Sequence, residues 1–222
     1  LAPSSQAAPA HVVPSSLQPH AAIDIESNAA FTPANGVISG QGTSANPYVV
    51  AGWSIASPNG IGIQIRNTNA HVVLRDLSVS NSPLQGVFFY RVSNATLVNV
   101  TATLNFGEGV RLESSNGAAV VACSLSGNSA GIVVLNSAGV RILGSNLSSN
   151  DGDGVTIAGS PNVTVRGNSF TFNGAGIAGY GLDLASTTGA VVDGNRFVQN
   201  GIFLDGTSQT EFTSHAIAAN NT

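Results

Sequence analysis

The sequence predicts an all-β chain wound as a parallel solenoid, on the strength of three observations. Asparagine recurs at Asn81, Asn105, Asn128, Asn150, Asn173, Asn200 and Asn220, at intervals of 20 to 27 residues. Each Asn closes a stretch in which apolar residues alternate with polar ones, the period of a strand and not of a helix. After most of them comes a Gly followed by an aliphatic residue. A repeat of this length with strand-type alternation means one coil per repeat, each coil resting on its neighbours.

Residues 1–22 hold four of the nine prolines together with Ala and Ser, and are expected to form an extended arm. Residues 23–60 contain the irregular strand-like pieces AIDI, GVIS and PYVVAGWSI, read as an N-terminal cap and first coil, because an open solenoid end exposes unpaired backbone. Residues 61–222 carry the regular repeats. In them GIQIR (62–66), GVFFY (86–90), GVRLE (109–113), GIVVL (131–135), GVTIA (154–158), GLDLA (181–185) and GIFLD (201–205) fall under one another.

The first and third residues after each Gly are apolar, from Ile63 and Ile65 to Ile202 and Leu204, and strand parity sends them inward. The residues between them point out: Gln64, Phe88, Arg111, Val133, Thr156, Asp183 and Phe203. A second alternating stretch in each coil ends on a large apolar residue, giving the column Leu125, Leu147, Phe170, Phe197 and Ile217. Two positions earlier stand Cys123, Ser145, Asn168, Asn195 and His215. Polar residues sent inward there are expected to pair with their equivalents in adjacent coils, since burying them unpaired is costly. The Asn series is expected to form such a ladder too, because Asn accepts left-handed backbone and its amide both donates and accepts.

Composition narrows the function classes. Charged residues make up 8% of 222, the formal net charge is −4, and all seven basic residues are Arg. A nucleic-acid partner would need a basic stripe, and none is present. No apolar run reaches the length of a membrane-spanning helix. The chain begins at Leu1, which suggests a processed or partial chain, and an extracellular or cell-surface location is expected. Sequons at Asn94, Asn99, Asn146, Asn162 and Asn220 are possible N-glycosylation sites, although a chain rich in Ser, Thr and Asn also produces them by chance. Cys123 is the single cysteine, so the chain has no internal disulfide.

The Gly-φ-x-φ units with Asn-closed coils resemble the right-handed parallel β-helix repeat superfamily, which includes pectate-lyase-like enzymes and NosD-like surface proteins. The lead-in GQGTSANPYVVAGWSI is similar to that of archaeal and bacterial NosD-like proteins. The resemblance covers residues 23–222 and implies a single-stranded right-handed β-helix of about seven to eight coils. It implies little about activity, since the same solenoid hosts lyases, hydrolases, epimerases, adhesins and spacers.

Catalytic motifs of the pectin-cleaving members are missing: there is no adjacent Asp pair, no Gly-His-Gly and no Lys. A polysaccharide lyase needs a base for the activated proton and a cation for the uronate carboxylate. A carbohydrate face is nevertheless conceivable where Gln64 and Arg66, Phe88 and Tyr90, and Arg111 and Glu113 lie outward on three consecutive coils. The blander alternative is a solvated face with a cross-coil Arg–Glu pair. Asp151 and Asp153 in SNDGDG form a weak calcium candidate, against a plain Asp/Gly turn. Gly174, Gly176 and Gly179 spell G-x-G-x-x-G, but a strand follows instead of a helix, so no dinucleotide site is expected. The four His (11, 20, 71, 215) have no metal-ligand spacing. No cofactor is expected.

The last repeat stops at Asn220, on the ladder itself. Solenoid ends need covering, so end-to-end stacking into a homopolymer is expected, with the N-terminal arm reaching a neighbour. The sequence therefore favours a non-enzymatic surface protein that self-assembles, with carbohydrate binding or cleavage as the alternative.

Overall fold

The computed structural model describes residues 16–174 and 179–200, and the backbone of the strand Ile217–Ala219. Among the described residues each repeat forms one coil of a parallel β-helix, giving about six full turns where seven to eight were expected over residues 23–222. The Gly-φ-x-φ units pair in parallel as one seven-stranded sheet, from Ile23–Ile25 through Ile63–Thr68, Val87–Val92, Val110–Glu113, Ile132–Leu135 and Val155–Ala158 to Leu182–Ala185. The second and third strands of each coil form the other sheet, of fifteen strands.

Each coil bends at residues with left-handed backbone. In the coil that starts at Val110 these are Ser114, Gly117, Ala122 and Gly127, with φ of 52, 68, 50 and 64°. The residue after each bend points inward and is buried: Ser115, Ala118, Cys123 and Asn128. Four corners per coil thus convert a flat strand path into a closed loop around an apolar centre. That centre is filled by the inward residues read from the repeat, including Ile63, Ile65, Val87, Phe89, Val110, Leu112, Ile132 and Val134, all at 0% exposure. The apolar column of the third strand also forms, with Phe170 and Phe197 stacked 4.6 Å apart.

The Gly before each first strand is dictated by close approach. A Cβ on Gly131 would lie 2.3 Å from the Gly154 carbonyl and 3.2 Å from Asn150 Nδ2. Only a residue without a side chain lets the Asn ladder and the next coil come so near.

The ladder itself is one continuous hydrogen-bonded stack. Asn150 Oδ1 accepts from the Asn128 backbone N–H and from Asn128 Nδ2, both at 3.1 Å, while Asn150 Nδ2 donates to Leu125 O and to Asn173 Oδ1. The same contacts link Asn105 to Asn128 and Asn173 to Asn200. Asn81 is not a rung, contrary to expectation. It is the exposed left-handed residue of its corner (φ 58°), and the buried position beside it is Ser82, whose N–H donates to Asn105 Oδ1. A second ladder runs through the positions anticipated from parity: Cys123 N–H donates to Ser145 Oγ, Ser145 N–H to Asn168 Oδ1, and Asn168 N–H and Nδ2 to Asn195 Oδ1.

Pairing begins earlier than expected. Gln18–His20, expected to belong to the extended arm, is a strand parallel to Trp53–Ala56, and the His20 and Trp53 rings lie 4.9 Å apart. Ile23–Ile25 enters the first sheet beside Ile63–Ile65. Between them and the regular coils lie two 3₁₀ turns, Asn28–Ala30 and Pro33–Asn35, and the antiparallel pair Val37–Ser39 with Tyr48–Ala51. Ile217 is also displaced from its expected column: its backbone pairs with Val191 of the second strand, not with Phe197 of the third. His215, Asn220 and residues 202–204 lie outside the described residues, as does the end on which end-to-end assembly was expected.

Candidate functional site

Strand register brings the outward side chains of the first sheet into two columns. Gln64 is opposite Phe88, which is opposite Arg111; Arg66 is opposite Tyr90, which is opposite Glu113. Neighbouring strands in such a ladder lie about 4.8 Å apart, so six side chains share a small patch. All six are half-buried. The Phe88 and Tyr90 rings lie 6.2 Å apart at 36°, and the Arg111 guanidinium sits 6.0 Å from the centre of the Phe88 ring. On the other side, Arg91 at the exposed bend lays its guanidinium 4.8 Å from the Tyr90 ring, a cation–π distance.

The polar groups hold one another. Arg111 donates from Nη1 to Glu108 (2.9 Å) and from Nη2 and Nε to Glu113 (2.9 and 3.2 Å). Burial works against its charge, but the hydrogen bonds and fields of Glu113 and Glu108 outweigh burial and raise its pKa above the ordinary guanidinium value. The other oxygen of Glu108 accepts from Gln85 Nε2 at 2.9 Å. At the far side, Gln64 donates to Asp24 at 3.2 Å, and Arg66 pairs with Glu26 and, at 3.7 Å, with Asp24.

Glu108, Gln85, Asp24, Glu26 and Arg91 were missed in the sequence. Gln85 and Glu108 could have been found: they precede Gly86 and Gly109, the same place in the repeat where Asp153 precedes Gly154. Asp24 and Glu26 could not, because the strand holding Asp24 comes from the irregular lead-in.

A groove borders the face, and a second lies elsewhere on the coils. The first, of about 310 Å³, is lined by Asp24, Gln64, Ile61 and Leu84, and so opens directly beside the patch. The other, of about 340 Å³, lies at the corner after the third strand, between Asn81, Leu104, Phe106 and Asp151. Phe106 is 81% exposed there.

The remaining candidates separate. Asp153 accepts from Thr156 Oγ1 (2.6 Å) and from the Tyr180 N–H (2.7 Å), which makes it a corner staple, while Asp151 lines the second groove. Among the described residues no three His, Cys, Asp or Glu cluster as metal ligands. Asn94, Asn99 and Asn162 all occupy left-handed bends (φ 57, 52 and 58°), which by itself accounts for Asn at those positions; Asn146 opens the strand Asn146–Ser148. Cys123 is buried, and its thiol donates weakly to Val121 O at 3.4 Å.

The family model described as the right-handed beta helix region matches residues 59–222. The chain belongs to the right-handed β-helix family. A search of curated proteins by sequence gives no match. Solved structures similar to this β-helix include the periplasmic alginate epimerase AlgG, with a TM-score of 0.65, 16% identity, and coverage of 79% of this chain and 45% of that one. Tailspike protein 2 of Escherichia coli O157:H7 bacteriophage CAB120 gives 0.59 at 17% identity, over 78% of this chain and 25% of the tailspike. The A-module of an Azotobacter vinelandii mannuronan C-5 epimerase gives 0.51 at 17% identity, over 78% and 61%. This β-helix therefore spans less than half of the first two and under two thirds of the third, and the likeness is one of fold.

Proposed function

We propose that this β-helix protein works outside the cytoplasm by holding a glycan chain against the face that carries Phe88 and Tyr90. One observation supports the reading above the rest: two half-exposed rings sit side by side on one strand, framed on both adjacent coils by side chains held in fixed hydrogen-bonding positions. Aromatic faces suit the apolar C–H faces of sugar rings, and guanidinium, carboxylate and amide groups suit hydroxyls. The ion pairs matter here because they fix the polar groups before a ligand arrives, which lowers the ordering cost of binding. The structural neighbours named for alginate and mannuronan fit the reading only as fold-level analogy.

Binding without turnover is the expected activity. Both oxygens of Glu108 are engaged, by Arg111 and Gln85, and one oxygen of Glu113 takes two N–H groups of Arg111. Acid–base chemistry needs a group placed to move a proton, and this patch spends its polar groups on one another.

The test is affinity electrophoresis and array binding across a polysaccharide panel, with Phe88→Ala and Tyr90→Ala beside the wild type. Each truncation is expected to weaken binding by about tenfold, in line with about 1 kcal/mol for an aromatic contact plus lost apolar area. Reducing-sugar and unsaturated-uronate release should stay at background. Wild-type binding unchanged in both variants, or release of product, overturns the reading.

A further inference from the structure

The arrangement of charge on this face bears on which glycans it admits. We infer that it accepts uncharged, hydroxyl-rich polysaccharides and turns polyuronates away; this rests on the glycan reading above. A polyuronate site needs guanidinium or ammonium groups free to meet carboxylates. Both guanidiniums within the columns are ion-paired. Arg111 is held through all three nitrogens, Nη1, Nη2 and Nε, on Glu108 and Glu113. Arg66 is paired with Glu26 and Asp24 through Nη2 alone, its buried Nε having no partner. Arg91, the third, lies over Tyr90 at the exposed bend.

Against these three cations stand six carboxylates. Asp24, Glu26, Glu108 and Glu113 frame the rings, Asp153 lies at the corner of a later coil, and Asp183 continues the Phe88 column beyond Arg111 and Thr156. A uronate approaching Arg111 would have to displace Glu108 or Glu113, and the displaced carboxylate would then face the polymer's own charge. Like charges placed together are a means of rejecting a ligand. A neutral sugar meets no such barrier. Its hydroxyls donate to the carboxylates and accept from the amides of Gln64 and Gln85, leaving every ion pair in place. The preference would set this β-helix apart from the neighbours named for alginate and mannuronan.

The experiment compares dissociation constants for neutral probes (β-glucan, mannan, galactan and starch) with those for alginate and polygalacturonate at low salt. It uses the wild type, Glu113→Gln, and the double variant Glu108→Gln with Glu113→Gln, each checked for folding by circular dichroism. The wild type should bind at least one neutral polymer about tenfold or more tighter than either polyuronate. Freeing Arg111 should add polyuronate binding that fades as salt rises, partly in the single variant and more in the double one. Equal or tighter binding of a polyuronate by the wild type overturns the inference and leaves the glycan reading standing. Discrimination in the wild type with no gain in the folded variants overturns the stated cause. Binding of neither class by the folded wild type removes the glycan reading, and the inference with it.

Discussion

At the bend between the second and third strands, the early coils bury Leu77 and then Val100; the later coils bury Ser145, Asn168 and Asn195 at the same position, with Cys123 between the two sets. The backbone follows the interior. In the early coils the second and third strands run on as single nine-residue strands, Val72–Ser80 and Ala95–Thr103, through left-handed Asp76 and Asn99. In the later coils the bend residue is Ala122, Gly144, Gly167 or Gly194, and a three-residue strand lies on either side.

Hydrogen bonding explains the difference. Where the inward residue is apolar, strand pairing continues across the corner, as between Leu77 and Val100. Where it is Ser or Asn, the next coil's side-chain oxygen takes the corner N–H. The fold requires the corner N–H to be bonded and tolerates either way of doing it. The outward faces differ in parallel. The early coils carry the Phe88–Tyr90 patch, and the later ones show Val133, Thr156 and Asp183 in the Phe88 column and Leu135, Ala158 and Ala185 beside them.

The strongest way to break the polar half is to remove a middle rung. Asn150→Ala leaves the Asn128 N–H without its acceptor and takes donors from Leu125 O and Asn173 Oδ1, in a site where water has no access. With about 1–3 kcal/mol for each buried group left unpaired, the expected loss is about 3–5 kcal/mol. At about 2–4 °C per kcal/mol for a chain of this size, the melting temperature should fall by about 10 °C. A fall of 2 °C or less, measured by calorimetry, would mean that the ladder follows the fold and does not hold it.

Cys123, the residue at the junction of the two interiors, tests the boundary by pH. Burial pushes its thiol up to about 11 from an ordinary 9.0, against opposing backbone contacts from Val100, Val121 and Asn99. The neutral thiol is therefore the form the fold favours. Its contribution is fully present below pH 9, and is lost as pH rises from 9 to 11, because the unfolded chain releases the proton first. The expected loss is about 2 kcal/mol over that window. Cys123→Ala should remove this part of the pH dependence; identical slopes for the two proteins between pH 9 and 11 would count against it.

Two serines sharpen the comparison at smaller cost. Ser145 Oγ accepts from Cys123 N–H and donates to Leu143 O, whereas Ser82 Oγ is buried without a partner. Ser145→Ala should cost about 1–2 kcal/mol. Ser82→Ala should be neutral or stabilising by up to about 1 kcal/mol, since it removes a polar atom that is paid for in desolvation and gains no bond. Equal melting shifts for the two would show that pairing of the hydroxyl is not what separates them.

Much of this was legible in the sequence because a strand's parity survives from coil to coil. The inward pairs from Ile63 and Ile65 to Leu182 and Leu184, the second polar column and the outward patch all follow from it. Parity was least informative at corners. Asn is favoured both in a left-handed bend and as a rung, and these positions are adjacent, so Asn81 was taken for the rung that Ser82 occupies. The partners Asp24 and Glu26 come from a lead-in with no repeat, and Gln18–His20 pairs with Trp53–Ile55 through backbone and the His20–Trp53 ring contact, which its Pro-containing sequence does not announce.

The smallest effect concerns the corner beside that ladder, where successive coils place Asn81, Leu104, Gly127, Ser149, Phe172 and Gln199 in left-handed backbone. Leu104 and Phe172 are the misfits, bulky apolar residues at φ 56 and 57°; Leu104, 62% exposed, bears the strain of the conformation and buries little in return. Leu104→Asn should relieve that strain and stabilise by about 0.5–1 kcal/mol, or about 2 °C in melting temperature. Gly127 opposes this, because a Cβ placed there would touch Leu104 Cδ2 at 3.0 Å, so the leucine covers part of the next coil. The cover is thin beside the exposed remainder of the side chain, and strain relief should win. A melting temperature lowered by 2 °C or more in Leu104→Asn would show that the apolar corner contributes to holding adjacent coils together.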